Sequence, residues 1–163
     1  MSVALRLMTA GDLAEVVELE QSVFGDEAWT AQMLLGELDQ PESRYYLVAA
    51  EEGRIVGYAG LLGAGDQGDV VTLAVALSHW GHGIGSALLE ALMAEAARRG
   101  FTEIFLEVRT ENRRAQQLYR RYGFTDVGIR RGYYQPSGAD ALVMRRGLTA
   151  ADVAGFRAAG ELA

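Results

Sequence analysis

Val70-Val71-Thr72-Leu73-Ala74-Val75, followed closely by His79-Trp80-Gly81-His82-Gly83-Ile84-Gly85-Ser86, is the stretch that decides how this chain folds. The first six residues form a near-continuous apolar run, the pattern of a central strand buried on both faces. Glycines at 81, 83 and 85 end it, and Ile84, Ala87, Leu88, Ala91 and Leu92 then recur at helical spacing. Arg98, Arg99 and Gly100 supply a cationic last turn and a C-cap. Ile104 to Val108 is the next apolar strand. Strand, helix and strand in that order imply a right-handed parallel crossover.

Working outward, Val3 to Met8 reads as a strand, and Thr9 with Asp12 as a capping box ahead of Leu13, Val16, Val17, Glu20 and Phe24 at helical spacing. Gly25 to Trp29 breaks that helix. Thr30 caps a second one through Met33, Leu34 and Leu38, stopped before Pro41. Tyr45–Ala50 and Ile55–Leu62 form a hairpin around Glu51–Arg54, and Gly63–Gly68 reads as a glycine-rich turn. On the far side, Asn112 caps a helix packing Ala115, Leu118 and Tyr122 and ended by Gly123, before strands at Phe124–Arg130 and Ala141–Arg145. The expected fold class is mixed α/β: a central mixed sheet flanked by helices, in one domain over residues 1–147. Residues 148–163 form an alanine-rich tail, either a docked helix or a frayed end.

Composition removes several chemistries. The 163 residues contain no cysteine, which excludes disulfides, zinc ribbons and a thiol nucleophile from this chain. All 15 cations are arginine, so a Walker-type phosphate loop and Schiff-base chemistry are excluded too. The formal charge of −7 conceals a split: residues 1–97 hold 15 acids against 3 arginines, and residues 98–146 hold 11 arginines against 5 acids. Asp12, Glu15, Glu18 and Glu20 are unlike a secretory signal. The long uncharged run Val70–Leu89 carries Thr72, two histidines and three glycines, unlike a membrane span. A cytoplasmic protein that binds neither membrane nor nucleic acid is expected.

Three features bear on chemistry. The glycine loop, between a buried strand and a helix, gathers backbone N–H groups and a helix dipole where an anion can sit. Its spacing is not that of a dinucleotide fingerprint, and taken alone it fits a structural turn equally well. Glu107 stands near the carboxyl end of the next parallel strand, where open α/β sheets bind ligands; it is either a desolvated general base or half of an arginine ion pair. Tyr119 lies seven residues after Asn112, on the same side of one helix. It is either a core aromatic or a proton donor whose ordinary pKa, near 10, matches a leaving thiolate. His79 and His82 lack companions for a metal site, and no metal is expected. Trp29, Tyr133 and Tyr134 are loop aromatics of the kind that pack or shape clefts.

Together these residues resemble the GNAT superfamily of N-acetyltransferases, over about residues 3 to 146. The match is carried by Thr72-Leu73-Ala74-Val75, the loop to Gly85-Ser86-Ala87-Leu88-Leu89, Leu106-Glu107-Val108-Arg109, and Asn112…Ala115…Leu118-Tyr119…Tyr122-Gly123-Phe124. The string at 106–112, that at 118–124 and Arg130-Arg131-Gly132-Tyr133-Tyr134 look like the RimI type, as do Phe24 and Trp29-Thr30.

The resemblance implies acetyl-CoA bound along Leu73, Ala74 and Val75, with its pyrophosphate on Gly81, His82, Gly83, Ile84, Gly85 and Ser86, and with Asn112 touching it. It implies Glu107 as general base, Tyr119 as general acid, and Trp29, Arg131, Tyr133 and Tyr134 bordering a peptide cleft. The implied reaction is direct acetyl transfer to the N-terminal amine, alanine in the RimI type, of a basic ribosomal protein. An acetyltransferase for small-molecule amines and a non-catalytic CoA-binding module are the alternatives. Two departures stand out: Trp80 where the family usually has Gln or Arg, and Ala28 where a proline is common.

Overall fold

The computed structural model describes residues 2–156. Seven strands form one sheet: β1 (Val3–Leu7), β2 (Arg44–Glu51), β3 (Arg54–Ala64), β4 (Gln67–Val75), β5 (Glu103–Arg109), β6 (Thr125–Arg130) and β7 (Ala141–Gly147). Their spatial order is β1-β2-β3-β4-β5-β7-β6. Every pairing is antiparallel except β4 with β5, the pair joined by the crossover helix α3 (Ile84–Arg98).

Alternation along the strands sorts the core into two layers. Leu47, Ala49, Ala59, Leu61, Ile104, Leu106 and Val108 face α3 and the helix α4 (Arg113–Arg121). Tyr46, Val48, Tyr58 and Ala74 face the opposite way, under α1 (Leu13–Phe24) and α2 (Ala31–Leu38). α3 lies tight against the sheet because Gly57 has no side chain: a Cβ there would stand 3.1 Å from the Ala74 carbonyl and 3.2 Å from Leu88.

The stretch 63–68 differs from the expected loop. β3 and β4 run on to pair Gly63 with Gly68 and Ala64 with Gln67, leaving only Gly65-Asp66 as the turn. The two paired glycines make room for the ring of Phe101, which lies against both. They serve packing within the hairpin and do not end the strands. In the tail, Leu148 is buried in the α3-side core, and a short helix α5 (Asp152–Gly155) packs with α3. The rest of the expected tail, 157–163, lies outside the described residues.

Candidate active site

β4 and β5 pair only from Gln67–Glu103 to Val70–Leu106. At the next step a bulge intervenes: Leu61 faces Val70 and Gly60 faces Thr72, so Val71 is the extra residue. Beyond it the strands part, and Thr72–Val75 continues without a β5 partner. The N–H of Ala76 bonds to the Val56 carbonyl on the β3 side at 2.8 Å, so by alternation the main-chain groups of Leu73 and Val75 face the gap. The Val75 carbonyl is taken by the Trp80 indole N–H at 2.8 Å.

The glycine loop closes the open end of this gap. Gly81 and Gly83 have φ of +83° and +80°, a conformation that favours glycine, and a Cβ on either would meet nothing within 4 Å. Both glycines therefore border open space on their Cβ side. Ile84 is buried, so only its backbone is presented there; His82 is exposed and Ser86 half-buried. Gly85 lies beside Leu118, Val75 and Leu73, tying the loop to α4 and β4. An open run of amides at a 15-residue helix's N-terminus fits a phosphate-bearing group.

Glu107 lies on the sheet face opposite α3, because its neighbours Leu106 and Val108 point into the α3 layer. Its side chain is 22% exposed, and Arg130 approaches its carboxylate at 3.5 Å. Burial pushes the Glu107 carboxyl above the ordinary carboxylate range; Arg130 opposes that shift and Asp69 reinforces it. So the group is both an ion-pair partner and a partly desolvated carboxylate. Because Arg130 is 60% exposed, the pair is screened and weak.

Tyr119 lies on the α3 side, 7% exposed, with its ring edge-on to Phe124 at 5.9 Å. Burial alone pushes its hydroxyl up to about 12, above the ordinary tyrosine value of 10 expected from sequence, so it remains protonated at neutral pH. Asn112 caps α4 by accepting the Ala115 N–H at 3.1 Å, which leaves its amide N–H groups as donors. Gln116, buried, donates to the carbonyls of Arg109 and Thr110 at 2.9 and 3.0 Å and so fixes the β5–α4 turn between Glu107 and Tyr119.

Two loops face each other beside Glu107. Glu27, between α1 and α2, forms an ion pair with Arg109 at the end of β5 and accepts hydrogen bonds from the N–H and hydroxyl of Ser137 in the β6–β7 loop. The Arg109 guanidinium lies 4.9 Å from the ring centroid of Tyr134, and that of Arg130 lies 5.4 Å from the ring of Tyr133. Tyr134 is raised above its ordinary range first by burial and further by Tyr133, Glu107 and Tyr119. Trp29 is half-buried against the α1–α2 core, its backbone N–H donating to Glu20 at 2.8 Å. Arg131 stands apart, 83% exposed and 3.5 Å from Asp140. His79 is engaged by Ser78 and Glu51, and no group of metal-ligating side chains occurs among the described residues.

Residues 13–124 match the acetyltransferase (GNAT) family. The chain belongs to the GNAT acetyltransferase family. Members take the acetyl group from acetyl-CoA. Among its relatives, the N-alpha-acetyltransferase RimI of Mycobacterium tuberculosis is 41% identical over 88% of this chain and 92% of that protein. The mycothiol acetyltransferase of Clavibacter sepedonicus is 33% identical over 78% of this chain, but over only 44% of its own length. The solved structure of the ribosomal-protein-S18-alanine N-acetyltransferase from Escherichia coli superposes with a TM-score of 0.81 at 28% identity, covering 90% of this chain and 94% of that one.

Three residues that hold the candidate site in place, Glu20, Glu27 and Gln116, were not singled out from sequence, nor was the pairing of Arg130 with Glu107. Glu20 did leave a trace, a carboxylate on the apolar face of α1. It is 1% exposed and accepts from the Tyr58 hydroxyl and the Trp29 amide. It therefore ties the α1–α2 loop to the centre of the sheet. Glu27, and the pairing of Arg130 with Glu107, gave no such signal, because the partners lie far apart in sequence.

Proposed function

We propose that this chain transfers the acetyl group of acetyl-CoA directly to the N-terminal α-amine of a protein, with alanine as the first residue and a basic ribosomal protein as the substrate class. The observation that carries this reading is the parting of β4 and β5, with Glu107 on one face of the sheet and Tyr119 on the other. RimI of M. tuberculosis and the E. coli S18-alanine enzyme support the choice of substrate.

The cosubstrate supplies the acyl carbon as a thioester. The gap-facing main chain of Leu73 and Val75, with Ala74 between them, lines its path, and the amides of residues 81–86 receive its phosphates. Asn112 offers an N–H from the helix cap, and Trp29, Arg131, Tyr133 and Tyr134 border the peptide. Glu107 accepts a proton from the substrate amine, directly or through water, as the nitrogen–carbon bond forms. Tyr119 donates its hydroxyl proton to sulfur as the carbon–sulfur bond breaks. An α-amine, with a pKa near 8, is easier to deprotonate than a lysine amine near 10.4, so one modest base suffices. With no cysteine in the chain, no acetyl-cysteinyl enzyme forms.

Steady-state kinetics on an alanine-starting basic peptide, the same peptide blocked at its N-terminus but carrying an internal lysine, and a panel of small amines test the reading. Turnover confined to the free N-terminus is expected; faster turnover of a small amine overturns it.

A further inference from the structure

The glycine loop has no cation of its own, since no arginine occurs between Arg54 and Arg98. Backbone amides alone must then offset a strongly anionic group, unless a cation arrives from elsewhere. Arg114 does arrive there. It sits in the first turn of α4, and its guanidinium lies 4.7 Å from the ring centroid of Trp80, the residue that opens the loop. Trp80 is itself anchored by its indole N–H to the Val75 carbonyl at 2.8 Å, so ring and loop are fixed to the end of β4.

A guanidinium held over an aromatic ring keeps its in-plane N–H donors available. Most other arginines of residues 98–146 are occupied: Arg98 and Arg99 by Glu95, Arg109 by Glu27, Arg120 by Asp126, Arg130 by Glu107, Arg131 by Asp140, Arg145 by Glu103 and Arg146 by Asp152. Among the described residues Arg114 has no carboxylate partner. It is a cation held over Trp80, the residue directly before Gly81.

We infer that Arg114, held at the glycine loop by Trp80, binds a phosphate group of the CoA cosubstrate. The inference rests on the acetyl-CoA reading above. Trp80 is a positioning residue, and α4 contributes through Arg114 a charge that residue 80 lacks.

Calorimetric titration of CoA into the full chain tests this without catalysis. Arg114→Ala is expected to weaken binding about tenfold, the size of one charge-assisted contact, and to flatten its salt dependence. Trp80→Ala should produce a similar loss, and the double variant should be no weaker than Arg114→Ala. Trp80→Phe, which keeps a ring face but not the indole N–H, should retain most of the affinity. Arg113→Ala, the control, should bind as wild type. 3′-Dephospho-CoA identifies the phosphate: the Arg114→Ala deficit vanishes if the 3′-phosphate is held and persists if the diphosphate is. Wild-type affinity in Arg114→Ala overturns the inference while leaving the acetyl-CoA reading intact. A wild-type chain that binds no CoA overturns both. Additive losses in the double variant overturn the role of Trp80.

Discussion

In the proposed mechanism the chemistry depends most on Glu107. Burial raises its proton affinity, Arg130 lowers it and Asp69 raises it. A base must be deprotonated to act, so turnover should fall as pH drops through a pKa above the ordinary carboxylate range. Removing the opposing cation in Arg130→Ala should move that acid limb to higher pH. Glu107→Gln should slow turnover about a hundredfold and leave acetyl-CoA affinity nearly unchanged. A full rate across the pH range in Glu107→Gln would exclude the residue from the mechanism. The Tyr119 hydroxyl makes no hydrogen bond within the described residues, and burial pushes its pKa up to about 12. Tyr119→Phe should therefore slow the chemical step in single-turnover assays without lowering the melting temperature. A lower melting temperature with an unchanged chemical step would make Tyr119 purely a core residue. Glu107 was legible in sequence because a carboxylate in an apolar strand is conspicuous. Which arginine pairs with it was not, since Arg109 is adjacent in sequence while Arg130 comes from the strand beyond β7.

At the scale of elements, capping and periodicity foretold most of what is observed. Asp12 accepts the Thr9 N–H at 2.8 Å and both arms of the Arg6 guanidinium at 2.8 Å, as a capping carboxylate should. The Arg6 hydrogen bonds hold its pKa at about 2, below the ordinary 3.8. A carboxyl depressed in the folded state stabilises above its unfolded pKa and loses that contribution as pH falls through the folded one. Asp12→Asn should thus cost about 1–2 kcal/mol near neutrality, and the gap from wild type should close between about pH 4 and pH 2 in chemical denaturation. A gap independent of pH would assign the loss to packing. Elements were misjudged only where tertiary packing decided the outcome. Gly63 and Gly68 resemble turn residues, yet they are strand residues cleared for Phe101. The bulge at Val71, which parts β4 from β5, leaves no mark in an apolar run.

Across the whole molecule, the sheet separates two charge layers. Residues 7–43, which hold α1 and α2 over the Glu107 face, contain nine acids and no arginine. The opposite layer, α3 and α4, ends or begins in Arg98, Arg113, Arg114, Arg120 and Arg121. The split seen along the sequence thus becomes a split across the sheet, and the proposed function would use the acidic side for a basic peptide and the basic side for phosphates. Added salt should raise the KM for a basic peptide; an unchanged KM would contradict steering by the acidic layer. The central claim is that transfer goes to the α-amine of an alanine-starting peptide. The most direct measurement is to incubate the chain with acetyl-CoA and a library of N-terminal peptides, then locate the added acetyl groups by mass spectrometry. Acetylation at free N-termini, led by alanine, is the result predicted. Acetylation at side-chain amines, or of no peptide at all while free amines are consumed, would contradict it.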